Sequence, residues 1–313
     1  MQYMLKIKNN YLMSKITTLQ IGGPAKKFVS VKTQKDLIEA IQYAKQHNWE
    51  YLIIGGGSNL LVNDAGVDCL VIKNEITGIT SQSRTLRVAS GTLLQDFVNY
   101  TIEHGLSGSQ KLTGIPGTIG GAVYGNAGAY GQTISDHITS IVILSESKNL
   151  ITLTKDKSGF GYRDSAFKQR KNIILEVSLQ LKKGDSKNLQ RKAEEVLQKR
   201  LIKYPVGIKC PGSFFKNIVA ITLPKDILDK IPSEKIIYGK LPAGTLLEMV
   251  GAKGEGENGI KIADYHANLF VNKGNGTAKD FYALAKKYAI KVKEKFGITL
   301  EPEVQLINLP PLI

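Results

Sequence analysis

Apolar and polar residues alternate over residues 27–32, which predicts a β-strand. Thr33 and Asp36 follow with the spacing of a capping box, so we expect a helix to begin after Thr33. The apolar face of this helix follows a 3.6-residue period, at Leu37, Ile38, Ile41 and Ala44. Residues 51–54 then form a short apolar run that predicts a second strand. The chain therefore begins with a strand, a helix and a strand.

A glycine-rich loop, residues 55–59, separates this strand from a further extended segment at residues 60–62. A Rossmann dinucleotide site needs a helix directly after its glycine loop, whereas here the loop joins strand to strand. This order excludes the ordinary dinucleotide-binding fold. Taken alone, the loop is equally compatible with a simple glycine hairpin.

The middle of the chain contains further strands and helices. Periodicity predicts a strand at residues 86–91 and helices at 94–102 and about 187–201. Further strands at residues 141–144, 150–153 and 173–181 are expected to form a meandering sheet. A short helix is also expected at 118–124, inside a glycine-rich run. Its first amides would face a phosphate, or its small residues would simply pack closely.

Turns become frequent from residue 204 onward, and we expect a last domain to begin there. Its clearest element is a helix that Thr277 caps and Gly297 terminates. The buried stripe of this helix contains Phe281, Leu284, Ala285, Tyr288, Val292 and Phe296, which we interpret as core. In the closing extended segment, Glu301 and Glu303 share one face because strand side chains alternate.

The composition is that of an ordinary globular protein. The chain has 313 residues, of which 42% are hydrophobic and 22% are charged, enough for two or three domains. No secretion signal is recognisable, and no segment approaches the roughly 18 apolar residues of a membrane span. We therefore expect a cytoplasmic protein without a membrane partner. Cys69 and Cys210 lie far apart without a metal-ligand partner, so neither a disulfide framework nor a metal site is indicated.

The net charge of +15 admits two explanations, a polyanionic partner such as nucleic acid or a set of small anionic ligands. The lysines are scattered through every segment, without an Arg-rich block or interleaved aromatic residues. Such a distribution is typical of a solvated surface, so no nucleic-acid partner is expected.

The glycine-rich run from Gly114 to Gly131 has the strongest chemical pattern in the sequence. Glycine lets the main chain approach a ligand closely, and successive amides or a helix N-terminus bind anionic oxygen. Because the loop at 55–59 offers the same chemistry, the two runs together suggest one large phosphorylated cofactor.

Three later segments offer reactive side chains. Residues 161–165 place Arg163 beside an acid and a hydroxyl, although such a segment alone is typical of a surface turn with a local salt bridge. Ser213 lies in a Gly-Ser-Phe-Phe turn, which lacks the GxSxG elbow of a serine hydrolase. His266 is the most conspicuous of the four histidines, and a hydrogen-bonded structural role suits it best.

These segments occur in an order that resembles the UDP-N-acetylenolpyruvoylglucosamine reductase (MurB) family. The resemblance spans nearly the whole chain, through residues 21–25, 55–59, 114–131, 162–165, 212–217, 266–268 and 301–304. The chain length, and the lack of a tyrosine-bearing insertion between Arg163 and Ser213, favour the shorter, type II class of the family.

The resemblance implies an α+β fold, with a two-subdomain FAD-binding unit of the vanillyl-alcohol oxidase (PCMH) type and a C-terminal α/β substrate-binding domain. The expected limits are 1–80 and 81–203 for the FAD-binding subdomains, and 204–300 for the substrate-binding domain. Residues 301–313 would form a C-terminal segment that carries a catalytic glutamate.

The resemblance also implies non-covalently bound FAD and NADPH as the hydride donor. The reaction would be reduction of the enolpyruvyl group of UDP-N-acetylglucosamine-enolpyruvate to UDP-N-acetylmuramate in peptidoglycan precursor synthesis, by a monomer. The residues expected to bind the cofactor are Ile54, Gly55, Gly56, Gly57, Ser58, Asn59, Ile115, Pro116, Gly117, Thr118, Gly120, Gly121, Asn126, Gly128, Ala129 and Tyr130.

Three residues would carry the reaction, as the resemblance implies. Arg163 would hold the substrate carboxylate with its planar donor fork. Glu303, kept protonated by burial, would donate a hydrogen bond to the developing charge. Ser213 would deliver a proton to the ether-bearing carbon, with Lys216 or an ordered water assisting.

Two further positions are expected to contact the substrate, Tyr162 and Asn217, because of their places in the family motifs. Gln305 stands where many relatives have an arginine, so no substrate contact is carried over there. Two alternative functions stay open. One is a flavin oxidase or dehydrogenase of the same wider fold with another small-molecule substrate, and the other is a basic nucleic-acid-binding protein without enzymatic activity.

Overall fold

The computed structural model describes residues 5–147, 149–229 and 231–313. The described chain forms two compact units. Unit 1 comprises the described residues of 1–10, 26–56 and 68–205, and unit 2 comprises those of 11–25, 57–67 and 206–313. The chain therefore passes more than once between the units before residue 68.

The elements are numbered in chain order. The strands are β1 (Lys8–Leu12), β2 (Pro24–Val31), β3 (Tyr51–Ile54), β4 (Leu60–Val62), β5 (Val67–Asn74), β6 (Ile79–Gln82), β7 (Thr85–Ala89), β8 (Leu106–Ser107), β9 (Gly128–Ala129), β10 (Gln132–Thr133), β11 (Ile138–Leu144), β12 (Leu150–Thr154), β13 (Ile173–Gln180), β14 (Lys182–Lys183), β15 (Ile218–Val219), β16 (Lys240–Leu241), β17 (Gly256–Glu257), β18 (Ile260–Ala263), β19 (His266–Asn272) and β20 (Gln305–Ile307). The α-helices are α1 (Gln34–Gln46), α2 (Leu94–Glu103), α3 (Ile119–Tyr124), α4 (Ser186–Lys203), α5 (Lys225–Leu228), α6 (Ala243–Met249) and α7 (Ala278–Phe296).

The first sheet has the strand order β1-β2-β5-β3, and its strands β3 and β5 run parallel. Helix α1 begins with the expected capping box, because the Thr33 side chain accepts from the Asp36 amide and the Asp36 carboxylate accepts from the Thr33 amide. Leu37 and Ile41 of this helix join Val29 and Ile72 of the sheet in one buried core of unit 1. The strand and helix predicted at the start of the chain are confirmed.

A second sheet in unit 1 has the order β12-β11-β13-β7-β6, with antiparallel neighbours throughout. The predicted strands are present, but the meander expected from the sequence is wrong, because β13 pairs with β11 and leaves β12 at the edge of the sheet. Helices α2, α3 and α4 contribute Phe97, Val123 and Leu189 to a second core, which the strands complete with Val88 and Val177. Unit 1 therefore contains two hydrophobic cores.

Unit 2 is built around α7 and the antiparallel sheet β17-β18-β19. Helix α7 begins at the predicted Thr277 cap and ends at Gly297, whose φ of +72° is the left-handed conformation that favours glycine. The predicted aromatic stripe is core: Phe281 is fully buried and packs with Phe214 and Phe270 at centroid distances of 5.1 and 5.3 Å. In the closing segment, β20 runs parallel to β4.

The domain limits expected from the sequence, at residues 80, 203 and 300, stay a prediction. The cores support two subdomains before residue 204, since one core gathers residues 29–72 with Leu144, Ile173 and Leu175 and the other gathers residues 86–193. Residues 11–25 and 57–67 belong to unit 2, which sequence order alone does not indicate. Among the described residues, no helix combines the length and the apolar character needed to cross a membrane.

Candidate active site

The glycine loop at 55–59 connects two different sheets. Strand β3, before the loop, pairs with β5, whereas β4, after the loop, pairs with β20. The hairpin interpretation of this loop is therefore wrong, because the two strands that it joins are not partners. The loop also crosses between the units, with Gly56 in unit 1 and Gly57 in unit 2.

In unit 1 the two glycine-rich runs touch each other through their backbones. A methyl group on Gly56 would lie 2.8 Å from Gly117 Cα, and one on Gly55 would lie 2.3 Å from Thr118 Oγ1. Carbon atoms in ordinary contact are about 3.5–4.0 Å apart, so neither position accepts a side chain without movement. The structure thus brings the runs together, as a single seat for one cofactor requires.

The short helix predicted at 118–124 is present as α3, and Thr118 caps it by accepting from the Gly121 amide at 3.3 Å. The amide of Ile119 donates to Thr92 O at 2.9 Å, and that of Gly120 donates to Ser90 O at 2.7 Å. The amides of Ile119 and Gly120 have acceptors because the helix packs on the residues that follow β7, and the Gly121 amide has its acceptor in the cap of the helix itself. The expectation that the first amides of the helix face a phosphate is wrong for these three amides. Gly120 serves close packing, because an added Cβ would lie 3.0 Å from Ser90 Cβ and from Ser90 O.

Asn126 presents a buried acceptor within the same run. Its Nδ2 donates to Gly161 O at 2.7 Å, whereas no donor among the described residues reaches its buried Oδ1. A buried acceptor without a partner is unfavourable by about 1–3 kcal/mol, so a donor from a bound group would relieve it. FAD offers N–H and O–H donors, and the residues present therefore fit this cofactor.

The end of the run forms a tight hairpin of β9 and β10. A methyl group on Gly128 would lie 2.6 Å from Gln132 O, so glycine is needed there for close packing. Tyr130 adopts a left-handed φ of +51° at the tip, and Lys111 Nζ donates to its carbonyl at 3.1 Å. The Tyr130 side chain is exposed beside Ala129.

Arg163 is tied to this glycine run. Its Nη2 donates to Gly128 O at 2.7 Å, and its own carbonyl accepts from Lys168 Nζ at 2.6 Å. Ser165 Oγ donates to Tyr124 O at 2.7 Å, so the turn at 161–165 is held on the run at several points. Arg163 adopts a left-handed φ of +54°. The turn therefore packs on the glycine-rich run at residues 114–131 and places the Arg163 guanidinium against it.

The environment of this turn also changes the pKa of Tyr124. Burial raises the pKa of Tyr124, and the nearby carboxylate of Asp164 raises it further. Asp164 itself forms an ion pair with Lys168, with 3.8 Å between Oδ1 and Nζ. The tyrosine hydroxyl thus stays protonated at neutral pH.

In unit 2, the rest of the glycine loop is fixed by backbone contacts. Gly57 has φ +64°, its carbonyl accepts from Thr18 N, and a methyl group there would lie 1.9 Å from Ile16 O. Asn59 O accepts from Gln305 N at 2.9 Å, and Asn59 Nδ2 donates to Glu303 O at 3.1 Å. The loop is thereby connected to the segment of the expected catalytic glutamate.

Unit 2 also brings Ser213 and Glu303 onto neighbouring segments. Ser213 pairs with Leu269 of β19, and the next amide, of Phe214, donates to Asn268 O at 3.0 Å. On the other side, Glu303 N donates to Phe214 O at 2.7 Å. Ser213 and Glu303 are both partly buried. The hydroxyl and carboxyl groups therefore stem from adjacent antiparallel segments.

Glu301 has a different environment from Glu303. Its Oε2 accepts from Lys216 Nζ at 3.1 Å, and its side chain is 72% exposed. The exposed ion pair gives Glu301 a surface role and occupies Lys216, which the sequence suggested as an assistant of Ser213.

The remaining expected site residues have structural partners. Asn217 Oδ1 accepts from Ala243 N at 3.2 Å, at the start of α6. The Tyr162 ring lies 5.5 Å from the Arg163 guanidinium carbon. His266 Nδ1 accepts from Asn268 N at 3.2 Å, which supports the structural interpretation of this histidine.

Sequence reasoning gave no role to Asn268, which lies beside Ser213. Its side chain accepts from Phe215 N and donates to Phe215 O, both at 2.8 Å. The available signal is an amide side chain inside the apolar strand that follows His266.

The two cysteines have no sign of reactivity. Burial, with the negative charges of Asp68 and Glu50, raises the pKa of Cys69 to about 11, and Cys210 is buried. In residues 5–147, 149–229 and 231–313, no three side chains of the metal-ligating types gather at one point.

Two domain families match the chain. The FAD binding domain matches residues 25–153, and the UDP-N-acetylenolpyruvoylglucosamine reductase C-terminal domain matches residues 204–307. These matches confirm the expected α+β fold with an FAD-binding unit and a C-terminal domain, whereas the vanillyl-alcohol oxidase (PCMH) type of that unit stays a prediction.

Relatives align along almost the whole chain. A UDP-N-acetylenolpyruvoylglucosamine reductase of Solibacter usitatus is 38% identical over 297 residues, covering 95% of each chain. A protein named UDP-N-acetylenolpyruvoylglucosamine reductase 2, from Bacillus cereus, is 33% identical over 303 residues, covering 96% of this chain and 93% of that protein. The crystal structure of UDP-N-acetylenolpyruvylglucosamine reductase from Thermus caldophilus superimposes with a TM-score of 0.77 at 30% identity, covering 97% of this chain and 99% of that one.

Proposed function

The chain belongs to the UDP-N-acetylenolpyruvoylglucosamine reductase family, and from this premise we propose that it reduces UDP-N-acetylglucosamine-enolpyruvate to UDP-N-acetylmuramate with NADPH, in peptidoglycan precursor synthesis. It is a flavin-dependent oxidoreductase, with FAD and NADPH as the cofactors of the family. The observation that carries the proposal is the 38% identity to a reductase over 95% of the chain.

The residues that would hold FAD lie in the two glycine runs. Gly55, Gly56, Gly117 and Thr118, whose backbones come together in unit 1, are proposed to hold the diphosphate with their amides, and the Asn126 Oδ1 acceptor is suited to a donor of the cofactor. When bound, FAD supplies two-electron redox chemistry, accepting a hydride from NADPH and donating one to the enolpyruvyl double bond. The protein has to position the cofactor and the substrate, shield them from water and protonate the reduced substrate.

Ser213 is proposed to deliver the proton that completes the reduction. Addition of a hydride to the distal vinyl carbon leaves negative charge on the ether-bearing carbon and its carboxylate, and a proton from the Ser213 hydroxyl then forms the second C–H bond. A proton from water restores the hydroxyl, so NADPH and one proton are consumed for each product formed. The pairing of the Ser213 segment on both edges supports this role, since proton transfer needs a fixed hydroxyl.

Glu303 is proposed to stabilise the developing carboxylate charge as a hydrogen-bond donor. A carboxyl group can donate only when protonated, so the proposed role requires the protonated form of Glu303. Glu301 does not fit this role because it is exposed and paired with Lys216. The contrast supports Glu303 among the two nearby acids.

Arg163 is proposed to bind the carboxylate of the substrate. Its guanidinium offers donors in a planar fork that matches a carboxylate, and one nitrogen is already fixed on Gly128 O. Tyr162 and Asn217 are proposed as further substrate contacts. The expectations of type II membership, a monomeric state, a cytoplasmic location and the lack of a nucleic-acid partner stay predictions.

The proposal is tested with the purified protein under anaerobic conditions. We expect a flavin absorbance that NADPH bleaches and that UDP-N-acetylglucosamine-enolpyruvate restores, whereas UDP-N-acetylglucosamine does not. Reoxidation by oxygen but not by the enolpyruvyl nucleotide would instead favour a flavin oxidase. A colourless protein that binds nucleic acid in a salt-dependent way would support the basic binding protein.

A further inference from the structure

Asn268 holds the segment that carries Ser213 with both its backbone and its side chain. The backbone carbonyl accepts from Phe214 N at 3.0 Å. The side-chain oxygen accepts from Phe215 N, and the side-chain nitrogen donates to Phe215 O, both at 2.8 Å. Asn268 is 2% exposed, so this clamp is shielded from water.

The need for an amide at this position follows from the course of the backbone. In a regular strand, the N–H and C=O groups of one residue point to the same neighbour. Here Phe214 N donates towards β19, whereas Phe214 O accepts from Glu303 N on the opposite edge. At Phe214 the backbone of the Ser213 segment therefore changes the side to which it bonds, from β19 to the segment of Glu303. We call this point the turnover, and the regular hydrogen-bond ladder with β19 stops there.

The next residue, Phe215, is 1% exposed, so its backbone N–H and C=O both need partners inside the protein. The Asn268 carboxamide supplies one acceptor and one donor in a single planar group, as a peptide of a neighbouring strand would. Asn and Gln are the residue types whose side chains carry an amide with both. The Asn268 side chain thus replaces the pair of backbone hydrogen bonds that Phe215 would form with β19 in a regular ladder.

We propose that Asn268 is a positioning residue for proton delivery by Ser213, an inference that rests on the proposed reductase function. Ser213 lies directly before the turnover at Phe214, and Glu303 is bonded to the carbonyl at the turnover itself. Loss of the clamp frees the segment to adopt a regular strand register, which displaces the hydroxyl and the carboxyl group together. A displacement of about 1 Å at a reacting group reduces a rate by about 10²-fold.

The test compares two buried asparagines of β19. Asn268→Leu removes both polar groups at nearly constant volume. Asn272→Leu is the matched control, since Asn272 is 4% exposed and accepts from Gly274 N and Gly276 N while donating to Leu19 O. Both variants are measured as FAD-loaded proteins, with anaerobic stopped-flow recording of reduction by NADPH and of reoxidation by the enolpyruvyl nucleotide.

We expect Asn268→Leu to slow the reoxidation step about 10- to 100-fold, with reduction by NADPH and the Kd of the nucleotide within about twofold of wild type. Asn272→Leu should lower Tm to a similar degree without separating the two half-reactions. If Asn268→Leu does not retain FAD, Asn268→Asp, which keeps the acceptor for Phe215 N, should show the same selective slowing to a smaller extent.

Equal slowing of both half-reactions, or unchanged reoxidation, overturns the positioning role. Selective slowing in Asn272→Leu as well would overturn it too, because any buried asparagine of the strand would then have the same effect. A wild-type protein that the enolpyruvyl nucleotide does not reoxidise would refute the proposed function instead, so the two failures are distinguishable.

Discussion

Substitution of Gly56 by alanine tests whether the contact between the glycine runs forms the FAD seat. The added Cβ would lie 2.8 Å from Gly117 Cα, and backbone atoms lie on both sides of the contact. Gly56 does not have a positive φ, so alanine introduces no backbone strain and the effect is purely steric. The two runs must move apart for the methyl group to fit.

The expected magnitude follows from this distance. An ordinary carbon contact of about 3.5–4.0 Å requires the runs to separate by roughly 0.7–1.2 Å. Inserting a methyl group into a packed region is unfavourable by about 1–3 kcal/mol. If FAD binds only when the two runs are in contact, the whole steric penalty weakens FAD binding. The Kd for FAD then rises by about 5- to 150-fold.

The assay is titration of the flavin-free protein with FAD, followed by flavin fluorescence, with a thermal melt of each variant as a folding control. Gly125→Ala is the matched variant in the same run, because Gly125 has φ −91° and its added Cβ would lie 3.6 Å from the nearest atom. The reasoning is refuted if Gly56→Ala binds FAD as tightly as Gly125→Ala.

Three further predictions concern other parts of the chain. Asn126→Gly removes the buried Oδ1, and glycine adopts the φ of +43° at this position without strain. The Kd for FAD should therefore rise by about tenfold, and an unchanged Kd would show that no cofactor donor uses this oxygen. Glu303→Ala should slow reoxidation by the enolpyruvyl nucleotide about 10²- to 10³-fold while Glu301→Ala remains close to wild type, and the opposite ranking would transfer the donor role to Glu301. The hydrogen bond from Thr277, followed by the smaller contribution of Asn258, lowers the pKa of Asp280 against the opposing effect of burial. Its stabilisation is therefore complete above the unfolded pKa of about 4 and is lost as the pH falls through the lowered folded value, so the Tm difference between wild type and Asp280→Asn should shrink below about pH 4. A difference that stays constant with pH would contradict this assignment.

Local signals in the sequence predicted local structure well. The capping boxes at Thr33 and Thr277 and the terminating Gly297 depend on residues within four positions of each other, and the structure confirms all three. The strand-loop-strand order around residues 55–59 was also readable. It excluded a Rossmann site, although it left the hairpin alternative open until the partners of β3 and β4 were known.

Features that depend on distant pairing were not predictable from one sequence. The amides of Ile119 and Gly120 are occupied because carbonyls near residue 91 happen to lie beside α3, and no local pattern encodes that contact. The Asn268 clamp joins residues 53 positions apart. Similarly, the pairing of β20 with β4 places a segment near the C-terminus beside residues 60–62. Reactive residue types were visible in the sequence, whereas the groups that hold them were not.

The most direct test of the central claim is anaerobic stopped-flow measurement of Ser213→Ala loaded with FAD. If Ser213 delivers the proton, reduction by NADPH should proceed at nearly the wild-type rate, and reoxidation by UDP-N-acetylglucosamine-enolpyruvate should be slower by about 10²- to 10⁴-fold. Reoxidation at the wild-type rate would contradict the account, because the proton would then come from another group.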